Sequence, residues 1–118
     1  MIRKRKVVTI IGSSRKKKFI AGIMQHHTLH EKKIVIAPGF YHHVDDYPIT
    51  DAQKCEQDEL MLDKIEYADE VTVCDHNGYI GQSTQKGIDH AKKLGRPLLF
   101  WFSDPNSPQA KAPEPSKP

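Results

Sequence analysis

Cysteine is scarce in this chain. Cys55 and Cys74 are the only two in 118 residues, too few for the disulfide framework of a small secreted scaffold. A reducing, cytoplasmic setting is therefore expected. Long apolar runs are missing too. No stretch approaches the roughly 18–20 residues of a membrane span, so no membrane partner is expected. The basic start Arg3-Lys4-Arg5-Lys6 leads into a strand-like run that meets charge again at Arg15, which is not the pattern of a signal peptide. There is no internal repeat. Aromatic residues make up only 8 % of the chain, and they do not interleave with residues 3–6 or with Lys16-Lys17-Lys18. A base-stacking platform is thereby excluded. These charges read as a loose N-terminus and a solvated helix face, and nucleic acid is not expected as a partner.

Arrangements for metal chemistry and nucleophilic catalysis are also thin. His42-His43 lies near Asp45-Asp46, but adjacent histidines point apart on most backbones and no second spaced ligand pair accompanies them. His26-His27 falls on a helix, where neighbours one apart do not share a face. No Ser-His-Asp or Cys-His arrangement follows from spacing. Neither a metal nor a cofactor is expected.

What is there is concentrated. Apolar residues are only 37 % of the chain and the net charge is +3, which suits one small domain with a charged surface. Its apolar residues gather in short runs. Residues 7–11 read as a strand ending at Gly12. Phe19, Ile20, Ile23, Met24 and His27 mark a helix face ending near His30. Residues 34–37 form a second strand, closed by Pro38-Gly39. Residues 40–54 lack a period and read as a long loop. Helical spacing returns over 56–68. Residues 71–74 form a buried strand in which Cys74 is a packed thiol. The Asn77-Gly78 and Ile80-Gly81 steps break it, and Ser83 or Thr84 suits a helix N-cap. Ile88, Ala91 and Leu94 recur at helical spacing, Gly95 suits the C-cap, and residues 98–102 form a last strand. From Asp104 the chain is rich in proline and reads as a disordered tail, so residues 1–103 are the domain and 104–118 the tail.

Alternating strands and helices with short apolar strands predict an α/β fold. The expected architecture is a flavodoxin-like or Rossmann-like three-layer sandwich with a parallel sheet of four or five strands, order 2-1-3-4. The loops after the first and third strands then meet at the switch point, where such sheets bind ligands. Gly12, Ser13, Ser14 and Arg15 offer backbone N–H groups, two hydroxyls and a guanidinium there. They read either as a phosphate or carboxylate clamp or as an ordinary serine-rich helix start. Gly81, Gln82, Ser83 and Thr84 make the same offer from the facing loop, with the same alternative. Asp75, at the end of the third strand, could hold a sugar hydroxyl or act as a base, or it could cap the Asn77-Gly78 loop.

Three segments carry a family resemblance. They are Thr9-Ile10-Ile11-Gly12-Ser13-Ser14-Arg15, the stretch 58–71 ending Ala68-Asp69-Glu70-Val71, and Gly78-Tyr79-Ile80-Gly81-Gln82-Ser83-Thr84 continuing to Gly95-Arg96-Pro97. Over about residues 7–102 the chain resembles the nucleoside 2-deoxyribosyltransferase-like proteins, a superfamily that includes deoxynucleoside 5′-monophosphate N-glycosidases. The resemblance implies a flavodoxin-like fold, a homodimer or higher homo-oligomer, and a nucleoside or nucleotide ligand. It implies a base and sugar pocket at Phe40, Tyr41, Met61, His76, Asn77 and Gly87. It also implies covalent catalysis of the retaining type by a glutamate on the helix after the glycine loop.

This chain departs from that pattern at three positions. Gln82 and Gly87 stand where the family has glutamate, Gly87 at the nucleophile's position, and Met61 stands where a polar residue is common. Asp89 is two residues from Gly87, about 200° around the helix, and should face elsewhere. If the chain is an enzyme, Asp75 is the carboxylate left to serve. Otherwise it is a binder or sponge that sequesters a nucleotide-derived signal. A basic nucleic-acid accessory protein is the third reading.

Overall fold

A computed structural model describes residues 5–12, 17–38, 48–75 and 80–101, together with the backbone of Glu114–Pro115. Strand β1 is Val7–Gly12, helix α1 is Lys17–Gln25, and a π-helical turn, His26–His30, extends α1. Strand β2 (Ile34–Ile36), helix α2 (Asp51–Tyr67), strand β3 (Glu70–Cys74), helix α3 (Gln82–Lys93) and strand β4 (Leu98–Trp101) follow. The sheet runs β2-β1-β3-β4, all parallel. A two-residue strand β5, Glu114–Pro115, joins the far edge antiparallel to β4. The order and the three-layer α/β architecture are those the alternating pattern predicts. The β5 pairing comes from within the proline-rich stretch, whose other residues lie outside the described ones.

Side-chain alternation along the strands sorts the core into two layers. Ile10, Cys74 and Trp101 face α1 and pack with Ile20 and Ile23. Ile11, Val71, Val73 and Leu98 face the other way and pack with Ile65, Ile88 and Ala91. A parallel sheet covered on both faces needs apolar residues at successive positions, which is why β1 and β3 read as unbroken β-branched runs. The β1–β3 pairing is pinned at its entry. Val7 N–H donates to Asp69 Oδ2 and Asp69 N–H donates to Val7 O, both at 2.8 Å.

Two helix starts differ from expectation. α2 begins at Asp51, five residues before the predicted start at 56. Thr50 is its N-cap, with the Gln53 N–H donating to Thr50 Oγ1 at 3.1 Å and the Thr50 N–H donating to Gln53 Oε1 at 2.9 Å. That reciprocal pair satisfies two otherwise orphaned donors. α3 is capped by Gly81 rather than by Ser83 or Thr84. The predicted stop holds: Gly95 has φ +71, a left-handed conformation that suits glycine after a helix.

Candidate functional site

β1 and β3 are hydrogen-bonded neighbours, with Gly12 opposite Cys74 at their carboxyl ends. From β1 the chain crosses by α1 to β2 on one side. From β3 it crosses by α3 to β4 on the other. The strand order thus reverses between these two ends, and the segments leaving them start side by side. Ser13, Ser14, Arg15, His76 and Asn77 belong to those segments and lie outside the described residues, as do Phe40 and Tyr41. The residues flanking them are described.

Gly12 has φ +138, and a Cβ there would lie 2.1 Å from Cys74 O and 2.7 Å from its Sγ. Glycine is required because the β1 end turns away directly against β3. The Cys74 thiol donates to Ile11 O at 3.3 Å. Burial, reinforced by the Asp75 carboxyl, pushes its pKa up to about 12, so it is a packed, unreactive thiol. Asp75 follows at the strand end with 1 % of its surface exposed. It is engaged by its surroundings rather than held open to solvent.

α3 faces this end of the sheet with its N-terminus. Gly81 contributes no side chain to cap it, which leaves first-turn N–H groups for other acceptors. Gln82 is exposed and Thr84 is buried. The Ser83 hydroxyl donates to Asp58 Oδ2 on α2 at 3.1 Å, so a carboxylate stands near the start of α3. Sequence reasoning missed Asp58. Its signal was spacing, since residues three and seven before Met61 and Ile65 share their inner helix face.

Two residues expected in the pocket, Gly87 and Met61, meet the apolar layer. A Cβ on Gly87 would lie 2.8 Å from Ile11 Cδ1, 3.2 Å from Met61 Cε and 3.3 Å from Ile65 Cδ1. The missing side chain therefore makes room for the apolar layer between α3, α2 and β1, and Met61 fills part of that layer. Asp89 is exposed and accepts from Gln85 Nε2 at 2.9 Å, facing away from Gly87's surroundings as the helix angle predicts.

On the opposite face, three side chains assemble that spacing did not suggest. His27 Nε2 is 2.9 Å from Thr72 Oγ1 and His27 Nδ1 is 2.5 Å from Glu31 Oε1. Glu31 also pairs with Lys33 at 3.0 Å, and Lys33 reaches Glu70. Burial opposes charge on Glu31, but hydrogen bonds from His27 and Lys33 outweigh it and hold its pKa below the ordinary value. Burial likewise opposes charge on Lys33, yet Glu70 and Glu31 raise its pKa. His27 goes the other way, its pKa lowered chiefly by burial against the pull of Glu31. It is thus a neutral ring whose Nδ1–H donates to ionised Glu31 and whose Nε2 accepts from Thr72. The order hydroxyl–imidazole–carboxylate is that of a nucleophilic triad. Thr72 and His27 are both fully buried, so no substrate reaches the hydroxyl and the relay is structural.

Among the described residues, no three or more His, Cys, Asp or Glu side chains gather as a metal cage. No helix among them is long and apolar enough to cross a membrane. No protein-family model and no curated protein matches the chain.

Proposed function

We propose that the chain binds a nucleoside or nucleotide at the carboxyl ends of β1 and β3, as a member of the nucleoside 2-deoxyribosyltransferase-like family that recognises its ligand without the family's covalent chemistry. The observation that carries this reading is the reversal of strand order between β1 and β3, beside an α3 N-terminus without a side-chain cap. That is where open α/β sheets place phosphates and sugars. The motif resemblance supplies the ligand class. Three features favour binding over turnover. Gly87 has no carboxylate and sits against Ile11, Met61 and Ile65. Gln82 cannot form a glycosyl ester. Asp75 is buried. Sequestering a nucleotide-derived signal is the role that such binding without turnover would serve. A reducing, cytoplasmic setting belongs to the proposal, and the resemblance extends it to a homodimer, which light scattering measures.

A thermal-shift screen over deoxynucleosides, their 5′-monophosphates and cyclic nucleotides tests the ligand. A ligand at about 100 times its Kd adds about 2.7 kcal/mol, or on the order of 10–20 °C in a domain of this size. A flat screen overturns the reading. Chromatography of the same mixtures separates the alternative: release or exchange of free base would make the protein an N-glycosidase or deoxyribosyltransferase, with Asp75 as the first residue to replace.

A further inference from the structure

The π-helical turn after α1 brings together two histidines that an ordinary helix would hold further apart. In an α-helix, residues four apart are about 40° out of line. In the wider turn of His26–His30, closed by the Glu31 N–H donating to His26 O at 3.2 Å, that offset shrinks. The His26 and His30 ring centres stand 5.4 Å apart with planes inclined by 35°. His26 is partly exposed and His30 exposed. The pair sits on the α1 side of the sheet, whereas Asp58 and Ser83 lie on the side of α2 and α3.

We propose that His26 and His30 form a two-histidine chelate for a divalent transition metal of the copper–zinc–nickel group. A metal–nitrogen bond of 2.0–2.1 Å puts each ring centre about 3.2 Å from the ion, so two tetrahedral imidazole ligands stand about 5.2 Å apart, centre to centre. The observed separation of 5.4 Å is within reach of a small side-chain adjustment. Glu31 adds negative charge beside the site. Its Oε2 is 3.5 Å from His26 Nε2, while its Oε1 is held by His27. Among the described residues no third side chain converges with the two rings, so water completes the coordination. Imidazole pairs favour Cu²⁺, Zn²⁺ and Ni²⁺ and discriminate against Mg²⁺ and Ca²⁺, which prefer oxygen. The turn is kept in place from beneath, since His27 is tied to Thr72 and Glu31 and His26 lies edge-on to Trp101 with centres 5.0 Å apart.

That last contact supplies the readout. Trp101 is the only tryptophan in the chain, so Cu²⁺ bound by His26 quenches the whole indole signal. Titrating the full chain with Cu²⁺ at neutral pH should give saturable quenching, reversed by excess Zn²⁺ and untouched by Mg²⁺. His30→Ala removes an exposed side chain without disturbing Trp101. It should weaken Cu²⁺ by about 10–100-fold or more, on the scale of losses seen even for outer-shell partners. Zn²⁺ should raise the melting temperature of the parent chain and not of His30→Ala. The double variant His42→Ala/His43→Ala should behave as the parent. Quenching that needs millimolar Cu²⁺, that survives His30→Ala, or that disappears in the His42/His43 variant overturns the proposal. None of these results bears on the nucleotide site.

Discussion

Gly87 shows how one missing side chain is read differently once its neighbours are known. Along the sequence it is a helix-interior glycine, worth about 0.5–1 kcal/mol less than alanine, at the position matching the nucleophile of the proteins the sequence resembles. In the fold its α-carbon looks onto Ile11, Met61 and Ile65. The reason for the glycine was not legible because it depends on three residues from two other elements. A direct test is to restore the acid. Gly87→Glu would drive a carboxylate into that apolar layer, and a loss of about 3 kcal/mol or more in urea unfolding is expected, with no gain of glycosidase activity. A well-folded, active Gly87→Glu protein would show that a pocket opens there. Gly12 was legible as a turn glycine, but the contact that makes it obligatory, with Cys74 O, needed the β1–β3 register. Gly12→Ala should lose about 2–3 kcal/mol through strain and displacement of the strand end.

At the scale of elements, the strands were the easiest to read and the helix starts the hardest. β1 and β3 stand out because burial on both faces demands continuous Val, Ile and Thr. The start of α2 was written in the sequence as Thr50-x-x-Gln53, but the helical apolar period begins only further on, and residues 51–56 are exposed. Period therefore placed the boundary late, where capping chemistry places it at Asp51. Thr50→Ala removes the acceptor for the Gln53 N–H and is expected to cost about 1 kcal/mol. The loss should appear in hydrogen exchange as faster exchange confined to the first turn of α2, and uniform acceleration along the helix would contradict it. At α3 the expected start was again late, for a different reason. Two good capping residues, Ser83 and Thr84, invited a late start. The helix instead begins at Gln82, and the Ser83 hydroxyl is committed to Asp58. Which of several adjacent polar residues caps a helix depends on what else is in reach of each hydroxyl.

For the whole molecule, right-handed crossovers leave few topologies for alternating strands and helices, and the order 2-1-3-4 expected among them is the one the sheet has. What lay beyond reach was the ionic ladder joining the end of α1 to β3, because Glu31, Lys33, His27, Thr72 and Glu70 approach only when the layers stack. That ladder fixes how the fold responds to acid. The groups facing His27 are Glu31 and Thr72 by hydrogen bonds, Lys33 and His26 by charge, and Trp101 by its ring. Burial lowers the folded-state pKa of His27 from 6.5, so the unfolded chain takes up the proton more readily. The contribution is intact above the unfolded value and lost as pH falls from there toward the folded one. Glu31 is lowered from 4.5, and its contribution is likewise present above that value and lost as pH falls through its folded pKa. Lys33, raised from 10.5, supports the fold below that value and fails only as pH rises through its folded pKa. Urea midpoints should therefore be level near neutrality and fall in two stages on acidification, the first beginning below about pH 6.5 as the unfolded histidine charges. His27→Gln keeps a hydrogen-bonding side chain but cannot titrate. It should lower stability at pH 7 and flatten the first stage while leaving the second. A first stage that survives in His27→Gln would assign it to another histidine and detach the ladder from the acid response.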